Sequence, residues 1–140
     1  MYLSRLHISK FRVFDDITLY FKNGINILIG ENNSGKTAII DALRICLGCG
    51  KPDNFIYVQD GDLHVNPENP SEINTVIQFD LIFEFGDASI ERECFYDFIS
   101  QDKDNPDKQT IQLHLKFIQE NNGKKKYFKR IIWGGDNEGQ

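Results

Sequence analysis

With 140 residues and 40% apolar side chains, the chain is the size of one domain and long enough to bury a real core. Its net charge of −5 excludes a uniformly basic, nucleic-acid-gripping surface. No stretch is apolar enough to span a bilayer, and Met1-Tyr2-Leu3-Ser4-Arg5 lacks the apolar run of a secretory signal, so a cytoplasmic protein is expected.

Tyr2 to Ser9 alternates apolar and polar residues, the two-residue period of a half-buried strand. Ile17 to Phe21 predicts a second strand. Asn23-Gly24 then reads as a hairpin-type turn into a third, Ile25-Asn26-Ile27-Leu28-Ile29, whose apolar, β-branched run suits a buried strand. Next comes Gly30-Glu31-Asn32-Asn33-Ser34-Gly35-Lys36-Thr37, a complete G-x-x-x-x-G-K-[ST] loop. Ala38 to Leu47 reads as a helix stopped by Gly48. Strand, glycine-rich loop and helix form the context that turns this pattern into a phosphate site.

The residue types explain the chemistry. Gly30 and Gly35 permit backbone angles and close approach that a Cβ would block. Backbone N–H groups of the loop, from Asn32, Asn33 and Ser34 to Ala38, then face a concavity at the positive end of the helix. Lys36 reaches the β- and γ-phosphates as a point charge, and the Thr37 hydroxyl is the candidate Mg²⁺ ligand. A chance turn ahead of a core helix is the competing account, and the two correct flanks speak against it. Arg12, which follows Phe11 at the end of the first strand, is a nucleotide-contact candidate, with a surface salt bridge as its alternative.

Cys46, Cys49 and Cys94 make no disulfide framework. Cys46 and Cys49 form C-x-x-C, yet His7, His64 and His114 are scattered and complete no metal set; both cysteines read as small apolar residues at the helix end. Residues 49–74 read as a long surface loop with a short helical turn. Thr75 to Phe85 predicts a strand, and Asp87 to Ile99 a helix with Ile90, Cys94, Phe95 and Phe98 on one face. Asn105-Pro106-Asp107 marks a turn, and 109–119 with 124–133 predict a hairpin around Asn121-Asn122-Gly123. Charge is segregated: residues 53–107 hold fourteen Asp/Glu against Arg92 and Lys103, whereas 109–133 hold six basic residues against Glu120. Lys124-Lys125-Lys126 reads as a solvated hairpin tip before it reads as a DNA contact. Tyr127, Phe128 and Trp133 are expected in the core by strand alternation. One α/β unit, α+β-looking in its element order, fits the chain: 1–48 with the loop, the connection 49–74, and strand, helix and hairpin over 75–135.

Leu6-x-Ile8-x-x-Phe11-Arg12-x-Phe14, Leu19-x-Phe21, Gly24 to Thr37 with its Asn32-Asn33-Ser34, and Asp41-Ala42-Leu43-Arg44 together resemble the N-terminal lobe of chromosome- and repair-type ABC ATPases. That group includes RecF-like, SMC-like and OLD (overcoming lysogenisation defect) proteins. The order of elements over 75–135 looks most like the OLD family of ATP-dependent endonucleases. The resemblance implies a P-loop NTPase lobe with an antiparallel β subdomain, the first part of a longer protein. It implies ATP and Mg²⁺ as cofactors, a homodimer of ATP-engaged heads, DNA as partner, and roles in DNA repair or phage defence. It further implies a later aspartate–glutamate strand end, a signature motif and a Toprim nuclease module. None of these is recognisable in this sequence, so no catalytic residue is assigned. Ile82-Phe83-Glu84-Phe85 is the nearest candidate for the carboxylate strand, but its lone Glu84 is expected on the sheet's solvent face. A RecF- or SMC-like ATPase without nuclease activity and a standalone nucleotide-binding module are the rival readings. A small phosphoryl-transfer kinase fits less well, because two further strands come before the strand that leads into the loop, where the usual arrangement is strand-first.

Overall fold

The computed structural model describes residues 1–48, 56–87 and 89–138. Its frame is an antiparallel sheet built from β1 (Tyr2–Phe11), β2 (Phe14–Tyr20), β3 (Val76–Glu84), β4 (Ile99–Gln101), β5 (Gln109–Asn121) and β6 (Lys126–Gly134). The strands run in the order β2-β1-β3-β5-β4, and β6 also pairs with β5. β3 occupies one edge of β5 over residues 110–118, so β4 and β6 share the other edge end to end. The expected α/β architecture with an antiparallel subdomain is therefore present.

Alternation decides which face is covered. Leu6, Ile8, Ile77, Phe79, Leu81 and Leu115 have no exposed surface. They meet α1 (Lys36–Leu47), which turns Ala38, Ile39, Ala42, Ile45 and Cys46 inward at helical spacing. Phe79 packs edge-on to Phe11 and Phe117, with centroids 5.1 and 6.1 Å apart. Phe11 reaches this face although it lies three residues after Ile8. Lys10 takes a positive φ of 58°, which breaks the two-residue period and turns Phe11 back inward.

The opposite face is polar. One row crosses five strands, with Thr18, His7, Asp80, His114 and Trp133 in direct register. Asp80 accepts from His7 Nδ1 at 2.8 Å, His114 Nδ1 at 2.5 Å and Gln78 at 2.9 Å, while Trp133 stacks on His114. Burial works against the Asp80 charge, yet the bonds from His114, His7 and Gln78 outweigh it and hold its pKa at about 2.

Three expectations need correcting. Ile25–Ile29 forms no strand and pairs with none of the described strands, and Ile25, Ile27 and Ile29 are 92%, 77% and 91% exposed. The apolar run was legible, but a strand needs a neighbour, and the segment does not fold back along β2, whose outer edge no described strand occupies. The helix expected over 87–99 is shorter: α2 spans Ser89–Cys94, a 3₁₀ turn covers Tyr96–Phe98, and Ile99 opens β4. Its apolar face finds little cover, since Ile90 and Phe98 are 72% and 67% exposed. Tyr127 stands outside the core and donates to Glu120, whereas Trp133 is buried as expected, on the polar face, and Phe128 packs against the core cluster. Of the C-x-x-C pair, Cys46 is buried on the inward face of α1 and Cys49 lies outside the described residues.

Candidate phosphate-binding site

The loop ends where α1 begins. Gly35 caps the helix in the left-handed region, with φ 96° and ψ 5°, and no side chain takes the first helical N–H groups. Those donors and the helix dipole therefore face a site suited to an anion. Only glycine fits at the cap: a Cβ there would lie 2.4 Å from Phe14 Cζ and 3.0 Å from Val13 Cγ2. At Gly30 a Cβ would fall 2.7 Å from the Ser34 hydroxyl. Ser34 N–H donates to Glu31 O at 3.2 Å, which closes the loop's turn, and the Lys36 ammonium donates to the Gly30 carbonyl.

A cavity of about 640 Å³ opens at this point. Asn32, Asn33, Gly35, Lys36, Thr37 and Ala38 line it from the loop side, and Arg12 and Val13 from the end of β1. Thus most of the residues read as a phosphate loop converge on one space. Gly30 and Ser34 shape the loop behind it. Lys36 and Arg12 supply positive charge, the helix end supplies donors, and Thr37, an exposed residue of the lining, supplies a hydroxyl. This donor set and the glycine-bounded concavity fit a polyphosphate with a hard divalent cation on Thr37.

Both accounts of Arg12 hold at once. It lines the cavity, and its guanidinium also bonds two carboxylates: Nη1 to Asp41 at 2.5 Å and Nε to Asp62 at 2.9 Å. Burial disfavours its charge, but the bonds to Asp41 and then Asp62 prevail and raise its pKa above the ordinary value. Its backbone is left-handed, with φ 51°, a conformation costing a non-glycine residue on the order of 1–2 kcal/mol unless the surroundings impose it. The surroundings are a 3₁₀ turn at Asp60–Asp62. Asp62 O accepts the Arg12 N–H at 2.7 Å, and His64 Nδ1 donates to the Arg12 carbonyl at 2.8 Å. Sequence reasoning missed Asp62 and His64, because both sit in a polar stretch without periodicity. The one available signal was Gln59 three residues before Asp62, the spacing of the capping box seen there.

Glu84 is far from this chemistry. It pairs with Tyr2 at the opposite end of β1 from Arg12, about 30 Å away at roughly 3.3 Å per strand residue. Its carboxylate accepts from Tyr2 and Lys108, both at 2.7 Å. Burial opposes its charge, and these partners overcome that and lower its pKa. Among the described residues no His, Cys, Asp or Glu group forms a metal-binding cluster, and no helix is long and apolar enough to cross a membrane.

A family model described as AAA domain, AAA_23, matches residues 5–140. The chain belongs to this family. Relatives of this AAA domain include the DNA replication and repair protein RecF of Limosilactobacillus reuteri. It is 42% identical over 45 residues, which are 32% of the chain and 12% of that relative. The DNA double-strand break repair Rad50 ATPase of Thermoplasma volcanium is 40% identical over 47 residues, 34% of the chain and 5% of that protein. The matched part thus spans about an eighth or less of these relatives' lengths. A solved structure from work on the ATP-driven dimerization and DNA-stimulated activation of SMC ATPases superposes with a TM-score of 0.63. It is 16% identical, covering all of this chain and 73% of its own, and the likeness is one of fold. The chain thus shares a fold with the SMC ATPase structure and a short stretch of sequence with the RecF and Rad50 proteins.

Proposed function

We propose that this AAA domain is the ATP-binding lobe of a RecF/Rad50/SMC-type ATPase acting in DNA repair. The observation that carries the reading is the convergence of Lys36, Thr37, the uncapped start of α1 and Arg12 on one cavity beneath a left-handed Gly35. Gly30, Asn32, Asn33, Ser34, Gly35 and Ala38 shape the loop whose backbone donors hold the phosphates. Lys36 releases the Gly30 carbonyl and turns its ammonium to the β- and γ-phosphates, while Thr37 holds Mg²⁺ through its hydroxyl. Bound ATP and Mg²⁺ supply the phosphoryl chemistry. The chain's own residues bind, neutralise charge and orient.

The expected assembly is a homodimer engaged through ATP, with DNA as partner. The support is the fold shared with SMC ATPases that dimerise with ATP and respond to DNA. Within this class, an OLD-like endonuclease is the finer reading, supported by the strand, helix and Lys-rich hairpin over 75–135. A RecF-like ATPase without nuclease activity is its rival. Nicking of supercoiled DNA by the full-length protein, with Mg²⁺ and ATP, separates the two.

The first test is titration with a fluorescent ATP analogue and Mg²⁺, with Lys36→Ala as comparison. Lost charge-assisted bonds predict affinity weaker by about 10–100-fold with unchanged circular dichroism. Equal binding by both proteins, or none by the wild type, overturns the reading.

A further inference from the structure

Arg12 is held from several sides by a segment that the nucleotide reading leaves without a role. Asp62 takes both its backbone N–H, at 2.7 Å, and its Nε, at 2.9 Å. His64 Nδ1 donates to its carbonyl at 2.8 Å, and the guanidinium carbon lies 4.9 Å over the Phe11 ring. The segment is anchored in turn. The second Asp62 carboxylate oxygen accepts the Gln59 N–H at 2.9 Å, and His64 N–H donates to Lys10 O at 3.1 Å. Asn74 donates to the His64 carbonyl at 2.8 Å, and Gln119 on β5 bonds Asp60 at 2.7 Å. Asp62 and His64 are both buried, which is unusual for such side chains unless partnered. Leu63, between them, bridges to Phe11.

The guanidinium is gripped unequally. Asp62 holds it at Nε, the elbow, whereas Asp41 on α1 holds it at Nη1, the tip. Thr37 and Asp41 are one helical turn apart, so the tip lies beside the phosphate mouth. A phosphate oxygen competes for the tip without disturbing the elbow, since the planar fork presents separate donors.

We propose that residues 59–64 form a clamp that presents the Arg12 guanidinium to a phosphate oxygen of the bound nucleotide, with Asp62 as the positioning residue. The proposal rests on the nucleotide reading above. Asp62 acts through Arg12. A free arginine would lose side-chain entropy on meeting phosphate, and the clamp removes much of that cost in advance.

The test is a double-mutant cycle read by fluorescent ATP analogue titration with Mg²⁺, with thermal melts as a control for folding. Asp62→Asn keeps an oxygen for the Gln59 N–H and loses the charged anchor. It is expected to weaken binding by about 3–10-fold in the wild-type background. In an Arg12→Lys background, where the side chain has no fork for Asp62 to orient, the same substitution is expected to change affinity by less than about twofold. His64→Gln attacks the clamp from its other bond and carries the same expectation should Asp62→Asn unfold. An equal loss in both backgrounds, or none in either, overturns the clamp and leaves nucleotide binding intact. Absent binding by folded wild type instead removes the nucleotide reading, and the clamp with it.

Discussion

Gly35→Ala tests the loop geometry most directly. Gly35 has φ 96°, and an added methyl carbon would sit 2.4 Å from Phe14 Cζ, 3.0 Å from Phe14 Cε1 and 3.0 Å from Val13 Cγ2. The left-handed backbone alone costs alanine about 1–2 kcal/mol. Forcing the Phe14 ring away adds an overpacking cost of about 1–3 kcal/mol. The sum, about 2–5 kcal/mol, is a large part of a typical domain's total stability. Gly24 separates the two contributions, because it also has a positive φ, 111°, but nothing within 4 Å of its Cβ position. Urea denaturation should therefore find Gly24→Ala destabilised by about 1 kcal/mol and Gly35→Ala by at least about twice that. Phe14→Leu in the Gly35→Ala background should recover part of the difference, since the clash is with the ring. Equal costs at the two glycines, or no recovery, would refute the packing argument.

Two further outcomes follow from the sheet. Phe79→Ala, at a fully buried ring between Phe11 and Phe117, should lower stability by about 3–5 kcal/mol in denaturant titration, while an exposed site such as Ile25→Ala should change it little. The polar face predicts a pH optimum. Burial opposes the His7 charge, but Asp80 on β3 and Asp16 on β2 prevail and raise its pKa above 6.5, so its stabilisation is full below that pH and fades as pH rises through the folded value. Asp80, lowered from 3.8 to about 2, stabilises above pH 3.8 by about 2 kcal/mol shared with its histidines, and this is lost as pH falls toward 2. Stability should peak between these limits, and His7→Gln should flatten the decline above pH 6.5; a decline of unchanged slope in that variant would exclude His7 as its source.

What was legible in the sequence was local or periodic. The phosphate loop is a contiguous pattern, the first strand and the final hairpin carry clean alternation, and the α1 stripe has helical spacing. What was hidden depends on pairing across long separations. His7, Asp80 and His114 look scattered until antiparallel register sets them side by side. Asp62 lies fifty residues from Arg12, and a left-handed arginine leaves no mark in composition. Ile25–Ile29 shows the reverse error: the residues of a strand were present, but strand formation belongs to a pair and not to a segment. The helix over 87–99 was overextended for a related reason, as an apolar stripe stabilises a helix only where something covers it.

The exposed Ile25–Ile29 run also carries an expectation for how the molecule behaves in bulk. It is short, β-branched, uncharged and free of proline, with backbone groups paired to none of the described strands, the composition that templates strand addition between chains. It leads directly into Gly30, so self-association through it would distort the loop from its N-terminal side. Colloidal loss and loss of nucleotide affinity are then one event seen by two instruments, and each rises with protein concentration.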